Sequence, residues 1–381
     1  MKISDVTVYK VKPRWIFVKI STDEGIEGWG EMISGTKTET VVAGAYEIGN
    51  RLIGRNPFEI ERLFQEMHRS FFRGGPINGT IVSGLEMALW DIKGKAFNVP
   101  VYELLGGAAR DKIKVYSWIG GDRPSEVAEQ AQDRFDRGFT AVKMNATEEL
   151  HYIDSYQKVD EVVERVASIR ERFGDAMDIG VDFHGRVHKP MAKVLAKALE
   201  PFHPMFLEEV VLPENEEHFK EVADSVAVPL ATGERLYTRW QFKNLFKQGT
   251  VDIIQPDVAL CGGILETRKI AAMAEAYAMA VAPHAPYGPV ALAATLQVDS
   301  CTPNVFIQEQ SLGIHYNKGF DLLDFVKNKE VFQYKDGYVD LPSKPGLGLE
   351  MDEDKIKEIA QEGLIWTNPQ WKNYDGTIAE W

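Results

Sequence analysis

The sequence predicts an α/β protein: a (β/α)8 barrel of the TIM type carrying an α+β capping domain at its N-terminus. Two observations predict this. Over residues 111–320, eight short apolar runs alternate with amphipathic stretches of helical period, whereas residues 1–110 open with three strand-like runs followed by helical patterns. An open doubly wound sheet is the competing architecture, but no G-x-G-x-x-G follows the first run of the barrel region.

In the capping domain VTVYKVK, WIFVKIST and IEGWGE read as strands, the last two joined by the turn residues TDEG. Helices are expected over 37–53, from an N-cap at Asn56 followed by Pro57 with Glu59 three positions on, and over 80–97. The barrel strands are expected at IKVYSWIG, FTAVKMN, MDIGVDFH, MFLEEV, VPLATGE, DIIQPDV, AVAPHA and VFIQEQ, with helices such as VDEVVERVASIRERFG between them. Residues 321–381, polar and containing SKPGLGLE, are expected to return and pack on the cap.

Composition narrows the function classes. A chain of 381 residues that is 44% hydrophobic can bury one large core and a smaller one. Forty-three Lys and Arg against fifty-seven Asp and Glu give a net charge of −14, which disfavours nucleic acid or an anionic membrane as partner. An anionic substrate must therefore be attracted locally. Two cysteines, Cys261 and Cys301, make no disulfide framework, and no apolar run has signal-peptide or membrane-spanning character, so a cytoplasmic location is expected.

The chemistry is carried by spacing. Asp182, Glu208 and Glu234 are 26 residues apart, and Asp257, His284 and Glu309 follow after 23, 27 and 25. That is the length of one βα unit, so the six should end six successive strands, at the face of a barrel where active sites form. Any one acid there could simply cap the next helix. Three converging carboxylates repel one another unless they bind a cation, and oxygen donors filling half an octahedron suit Mg²⁺. Asp257 beside His284 would fix the tautomer of a general base. His184, two residues after Asp182, is expected by strand period to face the same way and to act as an acid. Lys143 ends the second strand, either to neutralise an anion or as a solvated rim lysine. Glu309 could donate a hydrogen bond if kept protonated, or could be an ionised helix cap. His68, His151, His188, His203 and His315 fall outside this ladder.

V-D-F-H-G-R, F-L-E-E, T-G-E-R, I-Q-P-D with C-G-G-I, A-P-H and Q-E-Q, behind W-G-E and A-L-W-D-I-K-G-K, form an ordered set. Over essentially the whole chain this set resembles the enolase superfamily, mandelate racemase subgroup. The resemblance implies Mg²⁺ on Asp182, Glu208 and Glu234, an Asp257–His284 base, Glu309 hydrogen-bonded to the substrate carboxylate, and His184 as acid. It implies a hydro-lyase that removes water from an aldonate, D-galactonate first, to give a 2-keto-3-deoxy acid through an enediolate. The alternatives are another aldonate such as D-gluconate, or a racemase or epimerase of the same superfamily. Asn145 stands where many relatives carry a second lysine, which removes one base of a two-base racemisation. Val210 replaces the usual Pro after E-E and bears on substrate identity. Arg14, Trp15 and the Arg73-Gly74-Gly75 stretch are candidates to read the far end of the sugar, although Arg14 and Trp15 could equally form only a hairpin turn. Arg239 and Trp240, after the fifth strand, and Asn145 are further substrate-binding candidates. A homo-oligomer is also implied. A barrel hydrolase or aldolase would call for H-x-H ligands or a Schiff-base lysine, and no H-x-H occurs.

Overall fold

The computed structural model describes residues 1–381 except 34, 36, 70–74, 365 and 381. The capping domain opens with an antiparallel sheet in the order β1 (Ile3–Val11), β2 (Trp15–Thr22), β3 (Glu27–Ile33). Helices α1 (Thr38–Gly49), α2 (Ile60–His68) and α3 (Gly75–Phe97) follow, with a short α4 (Val101–Leu104) leading out. Strand β2 is buried on both faces because α3 lies against the sheet. Close approach there depends on glycine: a Cβ on Gly30 would collide with the carbonyl of Gly84 on α3. The N-cap expected at Asn56 is not one. Asn56 Oδ1 accepts from Phe58 N at 3.0 Å, a local turn that competes with the helix, and α2 starts only at Ile60.

Strands and helices then alternate: β4 (Lys112–Ile119), α5 (Val127–Asp136), β5 (Ala141–Asn145), α6 (Tyr156–Phe173), β6 (Asp178–Asp182), α7 (Lys189–Leu199), β7 (Phe206–Glu208) and α8 (Phe219–Ala223). The second half continues with β8 (Leu230–Thr232), α9 (Thr238–Gln248), β9 (Ile253–Ile254), α10 (Ile264–Ala276), β10 (Ala280–Val281), α11 (Pro289–Ser300) and β11 (Gln308–Gln310). All eight expected barrel strands form. They pair in parallel from β10 round to β4, and β4 pairs with β11. The remaining gap is bridged by Val281, whose N–H donates to Asn304 O (2.9 Å) and whose carbonyl accepts from Phe306 N (3.0 Å).

Two cap carboxylates tie the domains together. Glu31, at the end of W-G-E, accepts from the backbone N–H of Gly288 (2.7 Å) and Ala291 (2.9 Å) at the N-terminus of α11. Glu86, on α3, does the same for Ile264 (2.8 Å) and Leu265 (3.0 Å) at the N-terminus of α10. Orphan helix donors and the positive end of the helix dipole both favour an acid at such a place.

The return segment packs on the cap through Phe325, edge-on to Trp15 at 5.5 Å, and through Glu353 on α12 (Glu353–Ala360), 2.8 Å from Lys19 Nζ. It does more than expected. The hairpin β12 (Tyr334–Lys335) and β13 (Tyr338–Asp340) pairs antiparallel with Lys112–Lys114, the start of β4, where the barrel ladder has not yet begun. An otherwise unpaired strand edge is covered in this way.

Candidate active site

Asp182 and Glu208 end β6 and β7, and Glu234 lies two residues past β8. One oxygen from each falls within 4.8 Å of the other two, and all three residues are buried. Lys143 of β5 reaches into this group, its Nζ 2.7 Å from Glu208 Oε1, 3.0 Å from Glu309 Oε1 and 3.7 Å from Asp182 Oδ2. With 1% of its surface exposed, Lys143 is not a solvated rim lysine. Burial and the neighbouring Glu208 push the Asp182 carboxyl up to about 7, with Lys143 opposing them. Burial likewise raises Glu208, Lys143 pulling the other way and Glu234 adding to the rise. Among the described residues, Asp182 Oδ2 and Glu234 Oε2 accept no hydrogen bond. Converging hard oxygens on three buried carboxylates fit a divalent cation.

Asp257 and His284 are bridged across adjacent strand ends, with His284 Nδ1 2.8 Å from Asp257 Oδ2. His284 Nε2 lies 3.2 Å from Glu234 Oε2 and 3.9 Å from Glu309 Oε2. Burial alone would lower this imidazole, but Glu234, Glu309 and Asp257 together push it up to about 10. Glu309 accepts from Ala285 N at 2.9 Å. Burial would raise it, yet Lys143 and His284 hold it below the ordinary carboxylate value, which favours the ionised acceptor over the protonated donor. His184 faces the cavity for a different reason than strand period. The strand has ended at Asp182, and His184 sits in a left-handed turn (φ 51°) with its N–H donated to Asp182 Oδ1 at 2.7 Å. Burial, then Arg235, Arg186 and Lys143, hold its pKa well below the usual histidine value.

Lys143, Asp182, His184, Glu234, His284 and Glu309 line a cavity of about 350 Å³, as do Arg14, Asp122 and Tyr316. The Arg14 guanidinium lies 4.9 Å from the Tyr316 ring centre and 5.9 Å from that of Trp366. Trp15, by contrast, is buried in the cap core against Phe325 and is not part of the cavity. Arg239 and Trp240 are also elsewhere. They fall in the first turn of α9, which faces α10 and the cap, so Arg239 pairs with Glu266 and Trp240 stacks on His68 at 5.6 Å. Asn145 is buried opposite Asp182 in the ladder, Nδ2 3.5 Å from Gly121 O, and does not line the cavity. Arg73 and Gly74 lie outside the described residues; Gly75 begins α3, and Pro76 next to it reaches the cavity. Val210, in the loop after β7, is fully buried. Sequence reasoning passed over Glu209 and Arg235, although both stand inside the quoted motifs F-L-E-E and T-G-E-R. Their Nε–Oε2 ion pair of 2.7 Å sits beside the triad.

Residues 126–355 match the family model described as enolase C-terminal domain-like. Residues 1–106 match that of the mandelate racemase / muconate lactonizing enzyme N-terminal domain. The chain therefore belongs to the enolase superfamily, in its mandelate racemase / muconate lactonizing enzyme group. Among individual relatives it is 51% identical to D-galactonate dehydratase of Variovorax paradoxus (strain S110), over 100% of both chains. It is 50% identical to D-galactonate dehydratase of Cronobacter sakazakii (strain ATCC BAA-894), again over 100% of both. The crystal structure of an enolase from Agrobacterium radiobacter, bound to Na and L-malate, superposes with a TM-score of 0.90 at 33% identity, over 100% of each chain. A mandelate racemase/muconate lactonizing enzyme-like protein from Roseovarius sp. TM1035 gives 0.86 at 33% identity, over 94% of this chain and 95% of that one.

Proposed function

We propose that this protein is a Mg²⁺-dependent aldonate dehydratase, with D-galactonate as substrate, that yields a 2-keto-3-deoxy acid. The observation that carries the reading is two imidazoles, His284 and His184, lining one cavity with a three-carboxylate cluster, in a chain about half identical to two D-galactonate dehydratases over its full length.

Asp182, Glu208 and Glu234 would hold the ion. Bound there, Mg²⁺ would draw charge from the substrate carboxylate and favour the enediolate over the ground state. The protein's own groups do the rest. Asp257 holds Nδ1 of His284; with Glu234 engaged by a cation, the carboxylate charge that keeps Nε2 protonated is relieved and Nε2 is free to take the C2 proton, with Asp257 stabilising the resulting imidazolium. Lys143 stands beside Glu309 and Glu208 as fixed positive charge for the anionic end of the substrate. His184 protonates the C3 hydroxyl as it leaves, and the enol then tautomerises to the ketone. Asn145 in place of a second lysine favours this over two-base racemisation. Arg14 contributes to the far wall that meets the rest of the sugar chain. A cytoplasmic location belongs to the same reading, supported by two buried free thiols, as does a homo-oligomer.

The test is to incubate purified protein and Mg²⁺ with D-galactonate, D-gluconate and D-arabinonate and to assay the 2-keto-3-deoxy product. Metal-dependent turnover of D-galactonate alone is expected; turnover of another aldonate instead moves the substrate. In His184→Asn, water loss should vanish while C2 hydrogen exchange in D₂O persists. Equal loss of both would refute the division of labour between the imidazoles.

A further inference from the structure

We propose that the Glu209–Arg235 ion pair is a positioning device for His184, holding the strained turn that carries this imidazole. The inference rests on the dehydratase reading, in which His184 performs a step separate from that of His284.

After β6 the backbone enters the left-handed region twice in succession, at His184 (φ 51°) and Gly185 (φ 64°). For a residue with a Cβ this conformation is strained and persists only where the surroundings over-determine it. Gly185 has no room for a side chain, since a Cβ would lie 2.6 Å from Leu212 Cδ2. The turn is held chiefly from the next two strands. Arg235 Nη2 donates to His184 O at 3.0 Å, and Gly185 N donates to Glu209 O at 3.4 Å. Arg235 follows Glu234 after β8, and its Nε binds Glu209 Oε2 at 2.7 Å in the loop after β7. One guanidinium thus joins the loops of three consecutive strands, each bearing one carboxylate of the triad.

Glu209 would otherwise be unexplained. It is fully buried, itself left-handed (φ 44°), and adds a fourth carboxylate next to three that already repel one another. Arg235 neutralises it, which an unpaired buried charge requires. The same guanidinium approaches His184 Nδ1 at 3.5 Å. The position of the imidazole therefore follows from this pair.

Arg235→Lys separates the proposal from a mere structural role, because it keeps the positive charge near the triad but loses the planar fork that spans Glu209 and His184 O. Displacing a positioned group by about 1 Å costs on the order of 100-fold, so kcat for water loss should fall by about that factor with KM held within about threefold. C2 exchange in D₂O should continue within about threefold of the rate in His184→Asn. A crystal structure of the metal-free variant should show the His184 imidazole displaced and its turn relaxed. Glu209→Gln is the second variant, should Arg235→Lys fail to fold, with the same expectations. Exchange and water loss falling together, unchanged water loss, or an unmoved imidazole in the variant would each overturn the proposal. A wild-type protein that dehydrates no aldonate refutes the dehydratase reading instead, and the crystallographic comparison still decides the positioning.

Discussion

Asp182 is the residue through which pH acts most directly on the candidate site. Burial and Glu208 raise its carboxyl from the ordinary 3.8 to about 7, so in metal-free protein it holds a proton over a range where the unfolded chain has lost it. Folding takes up that proton, which makes the associated stability present at low pH and lost as pH rises through about 7. A cation on the triad competes for the same oxygens and replaces the proton. The gap in thermal midpoint between Mg²⁺-loaded and metal-free protein should therefore widen as pH is raised from about 6 to about 8. A gap independent of pH in thermal unfolding would mean that the ion does not sit on Asp182. Lys143 illustrates how environment decides meaning at this scale. As a letter in AVKMN it could belong to a wet rim, and only its place among three carboxylates shows that it is a buried counter-charge.

At the scale of elements, the joints between cap and barrel are helix ends. Glu86 satisfies the N–H groups of Ile264 and Leu265 and also accepts from Trp90 Nε1 at 2.7 Å. Losing a helix cap costs about 1 kcal/mol, and each buried N–H left unsatisfied about 1–3 kcal/mol more. With two backbone N–H groups released, Glu86→Ala should thus lower stability by roughly 3–7 kcal/mol, read as a lower urea midpoint at unchanged slope. A loss under about 0.5 kcal/mol would show that water takes over these donors. Periodicity revealed that helices α3 and α10 exist. It carried no signal that an acid of one caps the other 178 residues away, because that contact depends on how the two domains dock.

Across the whole molecule, the return segment links cap to barrel. Phe325 is fully buried against Trp15 and Phe17 of β2, while the hairpin fifteen residues or less beyond it extends the start of β4. Phe325→Ala opens a cavity in the cap core and should cost about 3–5 kcal/mol in denaturant unfolding. A cost under about 1 kcal/mol would show that the cap core collapses around the lost ring. The same docking removed Trp15 from the cavity, since the ring that a hairpin could have offered to a ligand is the one Phe325 covers.

The sequence by itself determined the alternation of eight strands with helices and the ladder from Asp182 to Glu309. Both follow from a repeat of fixed length, and a closed parallel ring brings equivalent positions together whatever the loops do. Tertiary structure alone decided the rest: that Glu309 stands 3.0 Å from Lys143, that His184 stands on a left-handed turn, and that Arg239 and Trp240 face the cap instead of the cavity. Burial, charge and direction at those residues are set by neighbours far away in the chain, and no local pattern encodes which neighbours those are.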